Sequence, residues 1–141
     1  MFLDTNIFIA YLKDKDEFQE EAEKLLAQIH DGTVEGEASS MSLLEICYVL
    51  KKIGKNEKEI SDITHTMLSI DHLRFLPITS DIFREAIDLV QNYKLSVSDA
   101  IIAATGMKLK VAEIISEDTD FDKLPENLIK RVSIKEAVKR K

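Results

Sequence analysis

The sequence predicts an α/β fold, because short apolar strand-like runs alternate with longer segments of helical periodicity and carboxylates recur where strands hand over to helices. Such alternation implies right-handed crossovers and a central parallel sheet covered by helices on both faces. The 141 residues fit one domain spanning 1–141, long enough to bury a core without disulfides or structural metal. With 45% hydrophobic residues but only 4 Gly and 2 Pro, no stretch reads as a linker or disordered tail, and no internal repeat is present.

Residues 2–4 form a short first strand, and a helix begins over 7–12 after the polar turn Asp4-Thr5-Asn6. A helix over 18–30 sets Phe18, Ala22, Leu25, Leu26 and Ile29 on one stripe and stops at Asp31-Gly32. Residues 34–39 supply the second strand. A helix over 43–53 ends at Gly54, and another runs over 57–70. The apolar run 73–78 is a strand closed by Pro77, ahead of a helix over 81–93. The helix over 97–109 is almost wholly apolar in its first half, which predicts burial against the sheet. Residues 112–116 and 131–134 complete the set of strands.

Cys47 is the single cysteine, so no intrachain disulfide forms and a reducing interior is favoured. The apolar start is broken by Asp4 and Asn6 and lacks a basic n-region, and no run reaches the roughly 18 apolar residues of a membrane span. A soluble, cytoplasmic protein is expected. Nineteen basic against 26 acidic residues give a net charge of −7, the wrong sign for gripping nucleic acid by electrostatics alone. Basic residues nevertheless gather at Lys130, Arg131, Lys135, Lys139, Arg140 and Lys141, and again at Lys51, Lys52, Lys55 and Lys58. Each group reads either as a solvated helix end or as local basic surface.

In a parallel sheet, ligands bind beyond the carboxyl ends of the strands, where a change of strand order opens a crevice. Asp4 ends the first strand, and Asp118 and Asp120 follow the strand holding Ile114 and Ile115 in "ISEDTDFD". Glu45 and Asp99 fall in the first turns of helices that start at the same edge. Each acid also has a local explanation. Ser42-Leu-Leu-Glu45 and Ser96-Val-Ser-Asp99 have the spacing of capping boxes. Asp4 suits a turn, and "EDTDFD" suits a solvated loop. Jointly, carboxylates converging in apolar surroundings repel one another and lose hydration, a cost that a divalent cation offsets. All-oxygen ligation suits Mg²⁺ or Mn²⁺ and argues against zinc. His30, His65 and His72 lack ligand spacing and belong on surfaces. Cys47, without a basic neighbour, reads as a small core residue instead of a nucleophile. Gly32, Gly36, Gly54 and Gly106 are isolated, so no phosphate-cradling loop exists.

Taken in order, "LDTNIFI", "SSMSLLEICYVL", "LSVSDAIIAATG" and "IISEDTDFD" give a chain that resembles the PIN-domain nucleases, most closely the small toxins of VapBC-type toxin–antitoxin pairs. The resemblance covers nearly the whole length. It implies a three-layer α/β/α sandwich with a central parallel sheet, and a Mg²⁺- or Mn²⁺-dependent endoribonuclease that hydrolyses RNA with metal-activated water. Carried over residue by residue, it makes Asp4, Glu45 and Asp99 catalytic metal ligands, with the fourth acid at Asp118 or Asp120. It matches Asn6 to a polar residue that orients the acids and Ser116 to the Ser/Thr beside them. It also implies a small antitoxin partner and a homodimer, the latter supported by surplus apolar positions over 43–70. One departure is the first strand, because only three residues precede Asp4. A receiver-type phosphorylation module is disfavoured, since "FLPITSD" places no acceptor Asp at the end of the third strand. A PIN nuclease of RNA maturation and a non-catalytic PIN scaffold are the alternatives within the resemblance.

Overall fold

The computed structural model describes residues 1–140. The elements follow in the order β1 (Phe2–Leu3), α1 (Thr5–Leu12), α2 (Gln19–His30), β2 (Gly36–Ser39), α3 (Ser40–Lys52), α4 (Glu57–Leu68) and β3 (Leu73–Leu76). Then come α5 (Ser80–Tyr93), α6 (Val97–Lys108), β4 (Glu113–Ile115), a 3-10 turn (Thr119–Lys123), β5 (Lys130–Val132) and α7 (Ile134–Ala137). The five strands form one parallel sheet in the order β3-β2-β1-β4-β5.

β1 holds the centre of this sheet with only two residues. Phe2 and Leu3 pair with Glu37 and Ala38 of β2, and Leu3 pairs with Ile115 of β4. The chain steps outward from β1 through β2 to β3, then returns to the other side of β1 with β4. The strand order therefore reverses between β1 and β4, and the crevice of an open α/β sheet lies beyond their carboxyl ends.

Successive strand residues point to opposite faces, and the core divides accordingly. Leu3, Ala38, Leu73, Ile115 and Val132 join residues of α1, α2, α3, α4 and α7 in one buried cluster. Phe2 and Ile114 join residues of α5, α6 and the 3-10 turn in the other. The result is an α/β/α sandwich. α6 packs so closely that a Cβ on Gly106 would lie 2.9 Å from Ile129 and 3.0 Å from Phe2, which explains a glycine inside a helix.

Several boundaries differ from the periodicity. Helix α1 starts at Thr5, because Asp4 itself caps it. Helix α3 starts at Ser40, not at 43, because the Ser39 hydroxyl accepts the Met41 N–H at 3.1 Å. The strand expected over 131–134 ends at Val132, where Ser133 caps α7, a helix too short to show in the pattern. His30, His65 and His72 are exposed as expected. Cys47 is only half-buried, its Sγ 3.4 Å from Thr64 Oγ1 in the seam between α3 and α4, and is not a core residue. The arginines of the C-terminal basic group are engaged within the chain: Arg131 pairs with Asp122, and Arg140 with Glu113 and Glu136. Lys141 lies outside the described residues. Among those described, no helix is long and apolar enough to cross a membrane.

Candidate functional site

Asp4 sits at the reversal point. Its Oδ1 accepts the Thr5 N–H at 2.7 Å and its Oδ2 accepts the Ser116 hydroxyl at 2.7 Å, with the residue only 4% exposed. Ser116, fully buried just beyond β4, also accepts from Asn6 Nδ2 at 3.1 Å and from the Asp118 N–H at 3.0 Å. One hydroxyl thus ties together the ends of two neighbouring strands and the loop that follows the second. Asn6 reaches the same loop, its Oδ1 lying 3.5 Å from the Glu117 nitrogen.

Glu45 lies in the second turn of α3, since Ser39 and not Ser42 caps that helix. Its Oε1 accepts the Thr5 hydroxyl at 2.7 Å, and Thr5 Oγ1 is 2.9 Å from Ser42 Oγ. The capping-box reading of Ser42 and Glu45 is thereby overturned: both side chains turn toward α1. At α6 the Ser96 cap exists, with its hydroxyl accepting the Asp99 N–H at 3.2 Å. The reciprocal bond from the Asp99 carboxylate is not made, whereas Asn56 and Glu59 make both halves of such a box on α4. Asp99 is free to face outward from its helix. Asp118 caps the 3-10 turn by accepting the Asp120 N–H at 2.9 Å.

Asp99, Asp118 and Asp120 each offer a carboxylate oxygen within 4.8 Å of the others. Asp4 and Glu45 stand outside this tight trio yet are coupled to it through charge, Glu45 acting on Asp99 and Asp99 on Asp4. Burial, foremost, raises the Asp4 carboxyl from 3.8 to about 7; the bonds from Ser116 and Thr5 oppose the rise, and Asp99 and Glu45 add to it. Burial likewise raises Asp99 to about 6, reinforced by Asp118, Glu45 and Asp120 and opposed by the Ser96 hydroxyl. Crowded, partly desolvated carboxylates with hard oxygen donors fit a divalent cation such as Mg²⁺ or Mn²⁺. Asp99, Asp118 and Asp120 are the residues that could hold it directly.

Several supporting residues escape a reading by motif. Thr5 bridges Asp4 and Glu45, although its place between Asp4 and Asn6 offered a hint. Arg131 donates through Nε and Nη2 to both oxygens of Asp122, at 2.9 and 3.1 Å, and through Nη1 to the Ser116 carbonyl at 3.2 Å. It therefore clamps both ends of the segment carrying Asp118 and Asp120. Glu117 Oε1 accepts the Ile134 N–H at 2.6 Å and so fastens that segment to α7. Lys123 Nζ lies 3.5 Å from Asp120 Oδ1.

The PIN domain family model matches residues 1–127. A toxin–antitoxin complex from Klebsiella pneumoniae contains a similar chain, 25% identical with a TM-score of 0.67, the match covering 94% of this chain and 96% of that one. Mycobacterium tuberculosis VapC20, a sarcin-ricin loop cleaving toxin, is 21% identical with a TM-score of 0.71, covering 86% and 92%. A chain of Rickettsia felis VapBC2, bound to a DNA fragment of its promoter, is 16% identical with a TM-score of 0.69, covering 92% and 96%. The last two show likeness of fold. No curated protein is a significant match.

Proposed function

The chain belongs to the PIN domain family, and from that membership we propose that it is a single-domain toxin nuclease, a Mg²⁺- or Mn²⁺-dependent endoribonuclease inhibited by a small antitoxin. The observation that carries this reading is the convergence of acids from four separate segments, at β1, α3, α6 and the turn after β4, on the point where strand order reverses. A divalent ion held there supplies Lewis acidity for in-line displacement at a phosphodiester.

The chain's own residues have separable roles. Asp99, Asp118 and Asp120 supply the ligand oxygens; Asp4 and Glu45 complete the negative field that draws the ion in. Ser116, Asn6 and Thr5 fix the acids by hydrogen bonds, so that the geometry precedes binding. Asp118 and Asp120 both lie in the trio with Asp99, so either can serve as the fourth acid.

The expected partners are an RNA substrate, the antitoxin and a second copy of this chain, in the cytoplasm. An antitoxin accords with the toxin–antitoxin complexes among the similar structures. Purified protein is expected to cleave single-stranded RNA with Mg²⁺ or Mn²⁺ and to stop in EDTA; cleavage that persists in EDTA, or none on any RNA pool, refutes the reading. Expression of the chain alone should arrest growth, and a small protein encoded beside it should restore growth. Cleavage without arrest would favour a role in RNA maturation.

A further inference from the structure

We propose that Lys123 is a substrate-binding residue, a cation that contacts an RNA phosphate at the rim of the acid cluster. This rests on the nuclease reading above and names a contact within it. A protein of net charge −7 with five acids around its site must still admit a polyanion, so some cation has to meet the phosphate beside those acids. The arginines and several lysines are already paired, and of the described lysines only Lys123 is paired with an acid of the site. All four arginines are held in ion pairs with acids other than the five of the site: Arg74 with Glu37, Arg84 with Asp81, Arg131 with Asp122, and Arg140 with Glu113 and Glu136. The lysines Lys24, Lys55 and Lys58 pair with Glu20, Glu59 and Asp62, none of them an acid of the site.

Lys123 is different. Among the described residues, Asp120 is the one site acid with an ion-pair partner, and that partner is Lys123, 3.5 Å away. A second bond, from Lys123 Nζ to the Lys94 carbonyl at 3.3 Å, ties the ammonium to the turn between α5 and α6, which leads directly into the helix bearing Asp99. The ammonium is thus held beside the trio by two anchors on different segments. About half of each side chain in the Lys123–Asp120 pair is exposed, so water screens the attraction and the pair is readily exchanged. An ion that takes up the charge of Asp120 weakens its hold on Lys123, and the lysine, still anchored at the Lys94 carbonyl, is then available to a phosphate. The pairing keeps the cation close without spending it on a permanent partner.

The test measures RNA binding, not cleavage. A short single-stranded RNA made non-cleavable by 2′-O-methylation is titrated into the parent, Lys123→Gln and Lys123→Arg, with Mn²⁺ and across a salt series. If Lys123 contacts a phosphate, Lys123→Gln binds several-fold more weakly and the slope of log K against log salt falls by about 0.7, the loss of one single-strand phosphate contact. Lys123→Arg keeps the slope. Mn²⁺ raises the melting temperature of Lys123→Gln at least as much as that of the parent, because a competitor for Asp120 is gone. An unchanged slope in a folded Lys123→Gln overturns the proposal while leaving the nuclease reading intact. A lost Mn²⁺ shift in that variant also overturns it, since Lys123 would then only position Asp120. A parent that binds no RNA at all refutes the nuclease reading and the proposal with it.

Discussion

At the scale of single residues, Asp99 separates two roles that sequence spacing alone left joined. Its helix is capped by Ser96, whose hydroxyl takes the Asp99 N–H, so neutralising the Asp99 carboxylate leaves the cap intact. Asp99→Asn is therefore expected to melt above the parent in EDTA, because one of several mutually repelling carboxylates is gone, and below it in Mn²⁺. A ligand at about 100 times its dissociation constant stabilises a fold by about 2.7 kcal/mol, so the crossing is visible in a melting curve. Equal Mn²⁺ shifts in both proteins would remove Asp99 from the site. Asp4 gives a pH signature. Its carboxyl binds a proton more tightly folded than unfolded, so between about 4 and about 7 the native chain carries more protons and stability falls as pH rises. The penalty is absent below the unfolded value of 3.8 and complete above about 7. Its size is on the order of 4 kcal/mol; half-exposed Asp99 contributes with the same sign and, being screened, less. Urea midpoints in EDTA should be higher at about pH 5 than at about pH 8, and Asp4→Asn should flatten the difference. The types and order of the five acids were legible in the sequence because strand ends mark the sheet edge. Thr5 was not, because its hydroxyl reaches Glu45 across 40 residues of chain while only its backbone N–H meets Asp4.

At the scale of elements, the strands and the six long helices were legible from periodicity, and their limits were set by side-chain caps that periodicity does not see. "SSMS" offers three capping serines for α3, and only the register of β2 decides that Ser39 is the cap. Ser39→Ala is expected to destabilise by about 1 kcal/mol or somewhat more, since Ser39 is fully buried, and the check is a shift in the urea midpoint. The segment from β4 to α7 was the least legible. Its strands have three residues each, its 3-10 turn has no apolar stripe, and buried Phe121, Leu124 and Ile129 are joined there by Arg131 reaching nine residues back to Asp122. Replacing Arg131 by Met leaves the half-buried clamp empty and the Ser116 carbonyl without this donor, a loss of about 1–3 kcal/mol. Because the clamp brackets Asp118 and Asp120, the Mn²⁺-induced melting shift should also shrink although every acid is present. Arg131→Lys should not restore it, since an ammonium cannot make the bidentate contact with Asp122. A full Mn²⁺ shift in Arg131→Met would mean that the acid-bearing turn holds its shape unaided.

At the scale of the whole molecule, charge and apolar surface pull in opposite directions. Leu44 and Tyr48 on α3 are 63% and 69% exposed, Leu68 at the end of α4 is 53% exposed, and a groove of about 600 Å³ between the two helices is lined by Leu44, Cys47, Tyr48 and Ile60. This surplus, legible in the sequence as apolar positions beyond the need of one sheet face, is the surface on which the proposed homodimer would rest. Two copies of a chain with net charge −7 repel each other, so their association should strengthen as salt screens that repulsion within a Debye length of about 10 Å at 0.1 M. RNA binding responds the other way, since phosphate contacts weaken with salt. Sedimentation at tens of micromolar is therefore expected to show a dimer whose dissociation constant falls from low to moderate salt, while RNA affinity falls over the same range. Tyr48→Glu adds a charge to the exposed face and should shift the protein to monomer, and at concentrations where the parent is also monomeric its stability in EDTA should differ by no more than about 0.5 kcal/mol, as suits a surface substitution. Loss of folding in Tyr48→Glu would assign the tyrosine to the core of the single chain, and a monomeric parent at every salt concentration would leave the apolar face of α3 and α4 to the antitoxin alone.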